Sequence, residues 1–260
     1  MRAWLDSLPA MVDSLAQRWS LTVGEPFEPG GQCSWVAPAG PDRVLKIGWP
    51  HYEAEHEADG LRFWAGDGAV RLHDDATFGA TRALLLERCD PGTLLARAVP
   101  PFEQDVVVAG LLRRLWRPAG APFRPLTEMC DAWASEFRGQ PALDPGIVRA
   151  GLALLRSLPR DATDQVLLCT DLHSENILAA QRESWLVIDP KPYVGDPAYD
   201  VVQHLLNADR LAADPAGLAR RMASLLDLDA ARVRLWLFAR CVQQSARWPD
   251  LVEVATSLAP

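Results

Sequence analysis

Thr170-Asp171-Leu172-His173-Ser174-Glu175-Asn176, followed after a polar turn by Trp185-Leu186-Val187-Ile188-Asp189, decides how this chain reads. The pattern is D-x-x-x-x-N, an apolar strand, then a second Asp. Phosphoryl transfer from a nucleotide needs a carboxylate to orient the attacking hydroxyl. It also needs an amide oxygen and a second carboxylate to hold magnesium on the phosphates. Asp171, Asn176 and Asp189 supply those groups in that order. Ile177-Leu178-Ala179 and Leu186-Val187-Ile188 flank Ala180-Gln181-Arg182-Glu183-Ser184 as two apolar runs around a polar turn. A hairpin there is expected to bring Asn176 and Asp189 to one end.

Asp and Asn are common loop residues, so D-x-x-x-x-N is weak on its own. Composition strengthens it. The chain contains two lysines, Lys46 and Lys191, and two asparagines, Asn176 and Asn207. One of each falls where a phosphotransfer site requires it. Lys46 lies in the short apolar strand Val44-Leu45-Lys46-Ile47, where a compact ammonium can bridge phosphates; the competing reading is a solvated strand lysine. Such a lysine needs a carboxylate to fix it, and the following helical run, Tyr52 to Trp64, offers Glu53, Glu55, Glu57 and Asp59. Glu57 is chosen because Ala58 and Leu61 form an inward stripe with Glu57 at its edge.

Of 260 residues, 49% are hydrophobic and 23% charged, the composition of an ordinary globular protein able to bury a core in one domain or two lobes. The formal net charge of -8 argues against nucleic acid as a partner and permits a cationic small-molecule substrate. Five cysteines, Cys33, Cys89, Cys130, Cys169 and Cys241, are widely spaced without C-x-x-C pairing. Neither a disulfide framework nor a zinc site is expected. The first residues lack the apolar core of a signal peptide, and no apolar run approaches ~18 residues. A soluble, cytoplasmic monomer with no membrane partner is expected.

Leu8, Val12, Leu15 and Trp19 repeat at near-helical spacing. Short extended runs follow at Leu21–Val23, Ser34–Val36 and Arg43–Ile47, then near Ala69–Leu72 and Arg82–Glu87. Beyond Asp90-Pro91-Gly92, helices are predicted over 103–116, 126–137, 145–158, 197–208, 214–226 and 229–247. The fold class is α+β: a β-rich nucleotide-binding lobe over 1–90 and a larger helical lobe over 91–260 bearing the catalytic loop and acceptor site.

Gly30 and Gly31, in Glu28-Pro29-Gly30-Gly31-Gln32, let backbone amides approach phosphates or simply turn a hairpin. Leu86, Glu87 and Cys89 lie in the connector after Leu84-Leu85, which either offers backbone groups to an adenine edge, with Leu86 lining an apolar slot, or is a simple linker. His173 receives no catalytic role. Asp196 and Asp200 are expected to cap a helix and hold the catalytic loop through backbone amides. Lys191 either touches phosphate or is surface-exposed. Trp248, Glu128, Asp131 and Glu136 are candidates to line a sugar site.

The run Asp171 to Leu178, then Trp185 to Asp200, resembles the aminoglycoside phosphotransferase family of the protein-kinase-like fold, most closely its streptomycin 6-kinase and hydroxyurea phosphotransferase branch. The resemblance extends through Val44-Leu45-Lys46, the Glu57 helix and Leu85-Leu86-Glu87. It implies an antiparallel β-rich lobe and a helical lobe clamping ATP and magnesium. Asp171 would be the catalytic aspartate, Asn176 and Asp189 the magnesium ligands, and Lys46 the partner of Glu57. The implied activity is an aminoglycoside O-phosphotransferase conferring antibiotic resistance, streptomycin first. Alternatives are a kinase of hydroxyurea or a choline-like amine, or a nucleotide-binding protein without transfer. The family's loop commonly reads His-Gly-Asp where this chain has Cys169-Thr170-Asp171. A thiol braces a loop poorly, so reduced loop rigidity is expected.

Overall fold

Alternation in Arg43-Val44-Leu45-Lys46-Ile47 gives one strand an apolar face and a lysine-bearing face. In the computed structural model, which describes residues 1–28, 31 and 33–260, that strand lies between two others. The chain begins with α1 (Arg2–Arg18), then β1 (Ser34–Pro38), β2 (Arg43–Gly48), α2 (Glu57–Trp64), β3 (Leu72–Phe78) and β4 (Thr81–Glu87). Next come α3 (Leu95–Ala98), α4 (Pro101–Leu115), α5 (Leu126–Glu136) and α6 (Pro145–Ser157). Short strands β5 (Val166–Leu168), β6 (Ile177–Ala179), β7 (Trp185–Val187) and β8 (Tyr193–Gly195) follow. Helices α7 (Pro197–Leu205), α8 (Ala208–Ala213), α9 (Pro215–Leu226), α10 (Ala230–Gln244) and α11 (Leu251–Leu258) complete the described elements.

The chain divides into two units, Met1–Leu94 with Leu178–Lys191, and Leu95–Ile177 with Pro192–Pro260. In the first, an antiparallel sheet runs in the order β1-β2-β4-β3. Val36 pairs with Lys46, and Lys46 with Leu84. Leu45 and Ile47 point the other way, into a core with Ala83, Leu85 and the α1 residues Leu8, Met11 and Leu15. Burying that α1 stripe holds the helix despite Pro9 near its middle.

The expected strand at Ala69–Leu72 lies elsewhere. Ala69 makes only an isolated bridge to Val187, and the strand is β3, beginning at Leu72 with an irregular step to Asp74. β3 pairs only with β4, so as an edge strand it tolerates exposed His73 and Asp74, which hid it in the sequence. Likewise Leu21–Val23 supplies only a bridge, Val23 to Ala39. Tyr52–Trp64 is a 3-10 turn, Tyr52–Ala54, followed by α2 rather than one helix.

The second unit is built around α10, whose Val233, Trp236, Leu237, Phe238, Ala239 and Val242 are fully buried. Helix α6 approaches it closely at Gly151, where a Cβ would lie 2.7 Å from Val242 side-chain atoms. Three helices begin with the same dipeptide, Asp144-Pro145, Asp196-Pro197 and Asp214-Pro215. Each Asp caps backbone amides and each Pro fills a position needing no N–H. Strands β5 and β8 pair antiparallel, Val166 with Gly195 and Leu168 with Tyr193. The six helices predicted after residue 90 are present within a few residues of their ends, and α3, α8 and α11 are additional. Among the described residues no helix is long and apolar enough to cross a membrane.

Candidate active site

In the first unit, strand geometry turns Lys46 away from the α1 core and toward α2. Its Nζ donates to Glu57 Oε1 at 2.7 Å, Glu57 Oε2 at 2.8 Å and Asp189 Oδ1 at 2.6 Å. Glu57 opens α2, above Ala58 and Leu61, which are buried. Of the four acids considered there, Glu57 is the one that reaches Lys46. Asp59 instead engages His56 and Arg62. Burial works against the Lys46 charge, but Asp189 and Glu57 outweigh it and hold its pKa well above the ordinary value. Burial pushes the Glu57 carboxyl up. Burial also opposes the Asp189 charge, yet Lys46 and Lys191 keep that carboxyl below its usual range. Asp189 has a left-handed backbone, φ 52°.

The connector residues divide by role. Leu86 is buried. The Glu87 side chain is committed to a bidentate pair with Arg182, at 2.8 and 2.9 Å, and accepts the Arg71 N–H at 3.0 Å. Burial pushes the Cys89 thiol up to about 12, which makes it inert as a nucleophile. Its backbone N–H has no partner among the described residues. Gly31 is exposed. Gly30 lies outside the described residues.

In the second unit, β5 delivers the chain into Cys169-Thr170-Asp171. Thr170 takes φ 52°, a left-handed conformation that a β-branched residue rarely adopts. The loop backbone is held, contrary to the reduced rigidity expected from Cys169. Asp200, on α7, accepts the Cys169 N–H at 2.9 Å and the Thr170 N–H at 2.6 Å, and the Trp116 indole N–H at 3.1 Å. A buried carboxylate therefore braces the backbone at 169 and 170. Burial raises the Asp200 pKa to about 6 against those three donors. Asp196 caps α7 through the Ala198 N–H and accepts from Arg232 and Trp236, each at 2.6 Å.

Asn176 Nδ2 donates to the Asp171 carbonyl at 3.0 Å, closing the loop over the 3-10 turn Ser174–Asn176. That bond fixes the amide so that Oδ1 is the atom offered for a ligand. An amide oxygen is a hard donor of the kind magnesium takes. Among the described residues no three His, Cys, Asp or Glu side chains gather as a metal site. His173 Nδ1 accepts the Glu175 N–H at 3.3 Å, a structural bond within the turn. Gln203 Nε2 donates to Asp171 Oδ1 at 3.0 Å. Nothing in the motif pointed to Gln203. The available signal was a polar stripe, Asp200, Gln203 and His204, at helical spacing on the otherwise apolar α7. Among the acceptor-site candidates, Asp131 is bound to Arg160, at 2.6 and 3.2 Å, and Trp248 is exposed.

The family model for aminoglycoside/hydroxyurea antibiotic resistance kinases matches residues 19–251. The chain is 37% identical to streptomycin 6-kinase of Streptomyces griseus, over 100% of this chain and 88% of that one. It is 36% identical to hydroxyurea phosphotransferase of Kitasatospora aureofaciens, over 93% of this chain and 73% of that one. Its fold matches that of aminoglycoside phosphotransferase APH(4)-Ia, solved with AMP-PNP and hygromycin B. The TM-score is 0.63 at 17% identity, over 95% of this chain and 97% of that one. The family match over residues 19–251 and the identity across the whole chain lead to one conclusion: this chain belongs to the aminoglycoside/hydroxyurea antibiotic resistance kinase family.

Proposed function

We propose that this protein is an ATP- and magnesium-dependent O-phosphotransferase whose acceptor is a streptomycin-type aminoglycoside, modified at its 6-hydroxyl. The observation that carries this reading is the 37% identity to streptomycin 6-kinase across the whole chain. Lys46, held by Glu57, binds phosphate oxygens as a point charge, and the Cys89 N–H meets the adenine edge. Asn176 and Asp189 hold magnesium, which when bound neutralises charge on the phosphates. Asp171 orients the acceptor hydroxyl and takes its proton. The new bond joins that oxygen to the γ-phosphorus, the γ-phosphorus separates from its bridging oxygen, and ADP leaves. The work of the protein is positioning and charge neutralisation.

The test is mass spectrometry of streptomycin incubated with the protein, ATP and magnesium. One added phosphoryl group is expected, with Asp171→Asn lowering turnover by roughly 10²–10⁴ at little cost in nucleotide affinity. Near-wild-type turnover in the variant would remove Asp171 from the role. The 36% identity to hydroxyurea phosphotransferase makes hydroxyurea the second acceptor to assay. Modification of hydroxyurea alone would replace the aminoglycoside reading.

A further inference from the structure

Arg240 is 3% exposed. Its hydrogen-bond partners are two neutral amide oxygens, Gln203 Oε1 at 3.2 Å and Gln243 Oε1, and its Nε has none among the described residues. The guanidinium lies 4.2 Å from the Trp133 ring centroid and 5.9 Å from that of Tyr199. A buried cation without a carboxylate partner is costly, and rings and amides offset only part of that cost. Its effect falls on its neighbours.

What it does is set the direction of one amide. Arg240 has only donors, so it selects the oxygen of the Gln203 side chain. The Nε2 end must then face away, and it meets Asp171 Oδ1 at 3.0 Å. An ionised carboxylate has only acceptors, so donor, amide and acceptor agree along the whole chain Arg240–Gln203–Asp171. Helices α7 and α10 supply Gln203 and Arg240, and both packing faces are buried, so the relay rests on rigid elements. A neutral amide between cation and carboxylate also holds Asp171 without giving it a full counter-charge. An arginine directly on Asp171 would hold it as well but would weaken it as a proton acceptor.

We propose that Gln203, oriented by Arg240, is a positioning residue that fixes the Asp171 carboxylate toward the acceptor hydroxyl. This rests on the reading of Asp171 given under Proposed function. Gln203→Glu is the informative substitution, because it keeps the shape, replaces the N–H by an acceptor facing Asp171, and gives Arg240 a carboxylate. A purely structural Gln203 would tolerate that exchange. Phosphorylation of streptomycin is measured for wild type, Gln203→Glu, Gln203→Met and Asp171→Asn, with melting temperatures for each.

The expected result is a kcat lowered about 10- to 100-fold in both Gln203 variants, consistent with small misplacement of a catalytic group. The KM for ATP stays within about twofold, and Gln203→Glu melts at or above the wild-type temperature. If Gln203→Glu does not fold, Gln203→Met reads the same loss without the added charge. Either folded variant keeping kcat within about twofold of wild type, while Asp171→Asn is inactive, overturns the positioning role alone. An active Asp171→Asn would instead overturn the assignment of Asp171 on which it rests.

Discussion

Lys46 Nζ and Asp189 Oδ1 are 2.6 Å apart although 143 residues separate them in sequence. Glu57 takes the remaining two contacts, so the ammonium spends its three hydrogens on three carboxylate oxygens. Phosphate binding at Lys46 must displace one of them. Lys46→Arg is expected to raise the KM for ATP roughly tenfold, because a planar fork cannot reproduce a compact charge with three divergent donors. Glu57→Gln should destabilise the protein by about 1–3 kcal/mol by removing a charged partner from a buried cation. Urea denaturation and ATP saturation curves read both. Unchanged values in both variants would make the cluster incidental.

Thr170 predicts an inverted preference between alanine and glycine. A left-handed backbone costs an L-residue roughly 1–2 kcal/mol, and glycine escapes that cost. Thr170→Gly should therefore be more stable than Thr170→Ala by about 1 kcal/mol, against the usual order. Equal melting temperatures, or a more stable alanine variant, would show that the loop does not impose φ 52° in solution.

Asp200 predicts an acid limb. Its carboxyl, raised by burial to about 6, takes a proton at a pH where an ordinary Asp stays ionised. Protonation adds a donor among the Cys169, Thr170 and Trp116 N–H groups and loosens the loop. Turnover should fall as the pH drops through about 6, and Asp200→Asn should be slow at every pH without that limb. The linkage to folding has the opposite sign. With the folded value above 3.8, the contribution to stability is full below 3.8 and lost as the pH rises through about 6. A wild-type profile flat down to pH 5 would refute the coupling of this proton to the loop.

Asp105 anchors four helices from a position with no solvent exposure. It accepts from His204 at 2.9 Å, from Arg210 at 2.8 and 3.0 Å, and from Arg221 at 2.9 Å. Burial opposes its charge, but those bonds lower its pKa to about 2. Its stabilising contribution is therefore present above 3.8 and lost as the pH falls toward 2. Asp105→Ala should cost about 3 kcal/mol at pH 7, the low end for a broken buried pair because Arg221 can reach water. In urea melts the gap to wild type should narrow near pH 2. A gap that stays constant with pH would assign the loss to packing.

The fold and much of the site were legible in sequence because their signals are local. The Asp171–Asn176 spacing is read within one short segment, and Lys46 and Glu57 are 11 residues apart. β3 was missed because an edge strand does not need the apolar run that marks an inner one. Gln203 and Arg240 were missed for a different reason. Their meaning depends on an amide flip set between α7 and α10, and no spacing rule encodes a contact between residues 37 apart. The brace from Asp200 was anticipated as a backbone-holding role, but the strain it imposes on Thr170 was not, because backbone angles leave no trace in residue type when the usual glycine is absent.

The Arg182 clasp bears on the order in which the protein can be made. Arg182 reaches Glu87, the Gly66 carbonyl at 2.8 Å and the Ala69 carbonyl at 3.2 Å, tying the turn after β6 to the sheet. Val187 exchanges hydrogen bonds with Gly68 and Val70, at 3.0 Å each. During synthesis the first 94 residues emerge without these partners, and most of the second unit's chain must follow before Asp189 arrives to meet Lys46. The first unit is thus completed late in translation, and its lysine waits unpaired by Asp189 until then. A fragment ending at Leu94 would lack the very segment that completes it.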